Sequence, residues 1–172
     1  KCCHYRRSFF DNKWHQDVNG NLLDQGALHW THYSDDSTAD MPISYWGTIL
    51  DIDTSGHISV LYRWDPHCYC HFHRHLCSTT SIVLAGELHV STYEADELTA
   101  TTVRTTGDYA KKPPGDIHME QGGADGALVL FELYAPDGQL TDQLDHEGNI
   151  LRTLTTDHLR HALLKQNTPA AA

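Results

Sequence analysis

The sequence predicts an all-β domain, a sandwich or barrel with one short C-terminal helix. A length of 172 residues suits a single domain that buries its own core. Short runs of alternating apolar and polar residues, bounded by Gly, Pro and Asp, recur from Tyr45 to Pro136. Only the C-terminal end carries a helical apolar period.

Residues 1–40 are polar and turn-rich, with "NGN" at 19–21 and "SDDSTAD" at 34–40, and are expected to wrap the domain without forming its core. The barrel is expected over residues 41–148. Its strand candidates are "YWGTILDID" (45–53), "HISVLYRWD" (57–65), "TTSIVLAGELHVSTY" (79–93), "TVRTTGDYAKKP" (102–113) and "GALVLFELYAP" (126–136). Within the second, Tyr62 and Trp64 alternate with Leu61 and Arg63, so one pair lines the interior and the other covers the outside. Residues 149–172 form the helix and tail. Thr155 or Thr156 can cap "DHLRHALLKQ", with Leu159, Leu163 and Leu164 on one face, and "NTPAAA" is expected to fray. No repeat or heptad is present.

The net charge of −11 argues against nucleic acid or an anionic membrane surface as a partner. No stretch has the apolar length of a membrane span, and "KCCHYRRSFF" lacks the apolar centre of a signal peptide. Five cysteines is an odd number, and Cys68, Cys70 and Cys77 are too clustered for a secreted disulfide framework, so a reducing, cytoplasmic setting is expected.

The chemistry concentrates in "HCYCHFHRHLC", residues 67–77, with four histidines and three cysteines. On an extended strand His71, His73 and His75 face the same side. At about 3.3 Å per residue a neighbouring pair can converge on one ion, whereas three in a straight row cannot. Spacing alone therefore allows 71 with 73, or 73 with 75. The cysteine spacing fits no zinc-ligand set, and the three thiols read as buried or half-buried free cysteines. His67, after Pro66, is expected in an exposed turn.

Two longer stretches resemble the paired motifs of the cupin superfamily, G-x5-H-x-H-x3,4-E-x6-G and G-x5-P-x-G-x2-H-x3-N. The first is His73-x-His75, then Thr79 and Gly86; the second is Gly107, Pro113-x-Gly115 and His118. The resemblance puts the metal ligands at His73, His75 and His118. It also shows three departures: His67 in place of the first Gly, Thr79 in place of the Glu ligand, and Gly122 in place of the final Asn. Thr is a poor ligand for a divalent cation, so the expected site is three neutral histidines with no carboxylate. Glu120, two residues beyond His118, faces the same interior on a continuing strand and is the candidate catalytic base. Glu87 is expected to be structural and near the surface.

Over about Met41–Gly138 the order of motifs and loop lengths resembles cupins of the 2,4'-dihydroxyacetophenone dioxygenase-like type. This implies a double-stranded β-helix, commonly a homodimer joined through edge strands, to which the segment before Met41 could lend a strand. It also implies iron(II), with zinc, nickel or copper compatible with the same histidines, and a small-molecule ketone substrate cleaved with O2. Two rival classes share the site: a lyase or isomerase using the ion as a Lewis acid, and a cupin that senses metal or ligand without turnover.

Overall fold

The computed structural model describes residues 21–35, 41–94 and 97–166. A 3-10 turn at Gln25–Ala27 precedes β1 (Thr31–Asp35), β2 (Ile43–Ile52), β3 (His57–Trp64), β4 (His73–His75), β5 (Ser78–Glu94), β6 (Glu97–Thr105), β7 (Tyr109–Lys112), β8 (Ile117–Tyr134), β9 (Gln139–Leu144), β10 (Ile150–Thr155) and the helix α1 (Thr156–Gln166). All strand pairs are antiparallel. One edge-to-edge path runs β1-β2-β3-β8-β4-β9-β10, and β5 joins it through β8.

Two long strands make the sheet curl. Ala127–Tyr134 of β8 lies between β3 and the first half of β5, whereas His118–Gly122 pairs with Leu88–Thr92 in the second half of β5. Register shifts at Val83/Ala85 and Gly86/Leu88 bend β5 between these halves, as bulges do where a strand turns a barrel corner. The result is the expected all-β jelly-roll barrel with a short C-terminal helix. Its core is filled from alternating positions by Ile52, Ile58, Val60, Val83, Leu88 and Val129, each almost fully buried.

The sheet runs past both bounds expected for the barrel. β1 falls within the segment expected to wrap, and it pairs with β2 of its own chain from Thr31↔Gly47 to Asp35↔Ile43. Of the rest of that segment, 21–30 holds the 3-10 turn, while 1–20 and 36–40 lie outside the described residues, as does the "NTPAAA" tail. At the other end β10 pairs with β9, and neither strand was expected. The run 102–113 is two strands, because Gly107 (φ 93°) turns the chain between β6 and β7.

Asp142 stands on the buried face of β9 between Leu140 and Leu144. Its carboxylate accepts from Arg74 on β4 and from the Thr153 hydroxyl on β10. This buried acid is satisfied by bonds to both neighbouring strands.

At α1 the backbone N–H of Thr155 donates to His158 Nδ1 at 3.1 Å, the returning arm of a capping box with His in place of Glu. Leu159 and Leu163 are buried, but Leu164 is 45% exposed, so the apolar face is narrower than expected. No described helix is long and apolar enough to cross a membrane.

Tyr62 and Trp64 line an interior cavity, while the Arg63 guanidinium lies over the rings of Trp30 and Trp46 at 5.1 and 5.0 Å.

Candidate metal centre

β4 and the start of β8 pair with His73 opposite His118, and alternation on each strand then turns His73, His75, His118 and Glu120 to one interior point. The turn of the second motif locks this register: Gly115 N–H donates to the His75 carbonyl at 2.7 Å, and His75 N–H donates to the Asp116 carbonyl at 3.0 Å. Gly115 holds φ 98°, which a side chain would strain.

One ligand atom from each of His73, His75, His118 and Glu120 falls in a group spanning less than 4.8 Å. His73 Nε2 and His75 Nε2 are 3.2 Å apart, His118 Nε2 is 3.0 Å from Glu120 Oε1, and His73 Nε2 is 3.8 Å from Glu120 Oε2. Three imidazole nitrogens and a carboxylate oxygen at these separations fit one divalent ion with bonds of about 2.1 Å.

The far side of each ring is held as a metal site requires. His73 Nδ1–H donates to the His71 carbonyl at 2.8 Å, His118 Nδ1–H donates to Asp116 Oδ2 at 2.7 Å, and His75 Nδ1 lies 2.9 Å from Thr79 Oγ1. An acceptor at Nδ1 turns Nε2 inward and makes the ring a better donor to a metal.

Charge follows the same geometry. Burial alone would raise Glu120, but the histidines, His118 foremost, hold it well below the usual carboxylate range. Burial likewise opposes a charge on His118, yet Glu120 and Asp116 outweigh it and raise its pKa to about 9. Burial, reinforced by the neighbouring imidazoles, keeps His75 well below its ordinary value. A ligand nitrogen must be free of its proton, so metal binding at His118 would compete with the proton that Glu120 and Asp116 favour there.

The expected site was three histidines with no carboxylate, whereas in the structure a carboxylate stands beside them. Glu120, expected as a free base, lies among the histidines. His71 lies outside the group; its ring Nδ1 is 3.1 Å from the Tyr45 hydroxyl. Cys77 and Cys70 are buried and Cys68 is half-buried, all with free thiols. Sequence reasoning missed two contacts. Asp116 stands at the end of the turn before β8, two residues ahead of His118, and that spacing was a readable signal. Cys70 Sγ donates to Glu120 Oε2 at 3.0 Å and receives the Glu120 N–H at 3.2 Å, a pairing between residues 50 apart that no local pattern announces.

No protein-family model and no curated protein sequence matches the chain. Solved structures do. An acetylacetone dioxygenase from Acinetobacter johnsonii superposes with a TM-score of 0.64 at 10% identity, covering 97% of this chain and 99% of that one. An RmlC-like cupin from Ralstonia eutropha JMP134 gives 0.62 at 15% identity over 86% and 87% of the two chains. A cupin 2 conserved barrel domain protein from Rhodopseudomonas palustris gives 0.53 at 15% identity over 63% and 72%. The chain has the cupin fold.

The departures from the cupin motifs now have physical reasons. His67 holds φ 59°, the left-handed conformation that the motif's Gly adopts freely. At Gly122 a Cβ would lie 2.7 Å from the Asp65 carbonyl oxygen and 2.9 Å from Trp64 Cβ, so the Asn of the cupin motif has no room. Glu87 is exposed, as expected for a structural position. Thr79, in place of the cupin Glu, orients His75, while the carboxylate of the group comes from β8.

That exchange is testable. Thr79→Val keeps the shape but removes the oxygen facing His75 Nδ1, and is expected to weaken metal binding by about 10- to 100-fold. Thr79→Ser is expected to restore most of it. Metal titrations of the folded variants check this, and unchanged affinity in Thr79→Val would contradict the orienting role.

Proposed function

We infer that the protein is a metal-dependent enzyme, a non-haem iron(II) dioxygenase that cleaves a carbon–carbon bond in an enolisable ketone of the β-diketone or hydroxyacetophenone type. The observation that carries this reading is the group of three histidines and one carboxylate, of which His73, His75 and Glu120 line a largely apolar cavity of about 520 Å³. Likeness of fold to an acetylacetone dioxygenase over nearly the whole of both chains supports the choice of substrate type.

His73, His75, His118 and Glu120 would hold the ion. Iron(II), when bound, supplies Lewis acidity toward the substrate oxygens and an electron toward O2. The chain's own residues do the rest. Asp116, Thr79 and the His71 carbonyl fix the three rings before substrate arrives. Glu120 belongs to the cavity lining as well as to the ligand group, so its carboxylate is placed to accept the acidic C–H proton as the ketone becomes an enolate. Taking that proton leaves Glu120 neutral, so its charge would not oppose the enolate formed in the same step. Tyr45, Tyr62, Trp64 and Phe131 line the chamber and keep water from the reacting carbon.

An oxygen electrode tests the reading. Protein reconstituted with iron(II) under anaerobic conditions is expected to consume O2 in step with loss of a β-diketone or hydroxyacetophenone. Substrate loss without O2 consumption would replace it with the Lewis-acid lyase or isomerase. No turnover with any metal would replace it with a sensing role.

A further inference from the structure

The cavity has a polarity that the metal group does not explain. Its lining includes Tyr45, Tyr62, Trp64, Phe131 and Leu133 from the barrel, but a different set of residues comes from β10 and α1: Arg152, His158, His161 and Lys165. All four are exposed, whereas Phe131, Leu133, Leu140 and Leu159 of the same lining are buried. The exposed set therefore marks the mouth.

In a chain of net charge −11, this mouth is basic. Arg152 and Lys165 contribute two fixed positive charges, and among the described residues the one carboxylate in the lining is Glu120, which belongs to the histidine group. Asp157, also on α1, is paired with Arg160. Asp35 acts on His71 but does not line the cavity. Among the described residues neither Arg152 nor Lys165 has a hydrogen bond or ion pair to another side chain. The Arg152 charge is nevertheless felt inside: burial raises the Tyr33 phenol and Arg152 partly offsets it. Unpaired cations over an apolar shaft focus potential and draw anions.

We propose that Arg152 and Lys165 bind a carboxylate carried by the substrate at the end away from the metal-binding ketone. The substrate is then a three-part molecule: a β-dicarbonyl or hydroxyketone head for the metal group, an aromatic or apolar body against Tyr62, Trp64 and Phe131, and a carboxylate tail at the mouth. A planar guanidinium matches a carboxylate's two oxygens. A phosphate dianion suits this mouth less well, because Lys165 lies in the last turn of α1, where the helix presents its negative end. The proposal rests on reading the cavity as a substrate chamber, but not on the oxygen chemistry.

The test is a binding comparison in the full chain loaded with zinc, which does not turn over with O2. Isothermal titration compares benzoylacetone with its para-carboxylate, 4-(acetoacetyl)benzoate. The acid is expected to bind about tenfold tighter or more, with the ratio shrinking as salt is raised. In the double variant Arg152→Gln, Lys165→Gln the ratio is expected to fall to about one, with benzoylacetone affinity unchanged. Both substitutions are on exposed side chains and leave the core intact. The proposal is overturned if the acid binds no tighter than the neutral ligand, whether both bind or neither does, or if the preference survives in the double variant. A lasting acid preference without O2 consumption in the iron protein would retire the dioxygenase reading alone; O2 consumption without an acid preference would retire this one alone.

Discussion

Replacing His118 with alanine is expected to remove most of the bound metal, whereas replacing Cys70 with alanine leaves it in place. Both side chains touch Glu120, His118 Nε2 at 3.0 Å and Cys70 Sγ at 3.0 Å, and both are buried. Their roles differ in the atoms they offer. His118 presents a ring nitrogen to the ligand group, anchored behind by Asp116; Cys70 lies outside that group, and its burial, together with the Glu120 charge, pushes its thiol pKa well up, away from the thiolate form that binds metal. Losing a ligand exceeds the effect of losing an outer hydrogen bond, so His118→Ala is expected to weaken binding by more than about 100-fold. Cys70→Ala removes one hydrogen bond from Glu120 and is expected to change affinity by only a few-fold. Metal content after dialysis distinguishes them, and equal loss from both variants would mean the wrong ligands have been assigned.

Glu120→Gln is the second large effect. The amide keeps the size of the side chain but loses its charge, and both jobs assigned to Glu120 need the charge. Metal affinity is expected to fall by about 10- to 100-fold, and O2 consumption at saturating iron by a further ~100-fold or more, the usual scale for losing a positioned base. Metal titration and rate are separate readouts. Full metal affinity with lost turnover would make Glu120 a base outside the metal shell, as the sequence alone suggested. Lost affinity with a normal rate at saturating metal would make it a ligand only.

The sequence was most readable where alternation was clean. The runs at 45–53, 57–65 and 79–93 overlap β2, β3 and β5, and burial alternates most clearly at Ile58 and Val60 on β3 and at Thr79, Ser81 and Val83, then Leu88 and Val90, on β5. β9 escaped notice because its buried row reads Leu140, Asp142, Leu144, and an acid in that row breaks the apolar pattern unless its partners on β4 and β10 are known. β10 escaped because its first three residues are exposed, leaving little alternation to see. At the site, His-x-His and the second motif located three side chains correctly relative to one another, since β4 and β8 pair at His73 and His118. Glu120 was placed on the right face, but its closeness to all three histidines was not foreseen. The motif's carboxylate position is occupied by Thr79, and spacing along one strand does not say how near a residue comes to histidines on another. The basic mouth was not legible at all, because Arg152 and Lys165 are separated by a strand end and a helix, and only the docking of α1 beside β10 puts them on one cavity.

The most direct test of the account is the metal stoichiometry of the protein purified anaerobically without added metal, measured by elemental analysis and repeated after exposure to iron(II). One divalent ion per chain is expected, abolished when His73, His75 and His118 are replaced together. A protein that stays metal-free after exposure, or one whose bound ion survives that triple replacement, would contradict it.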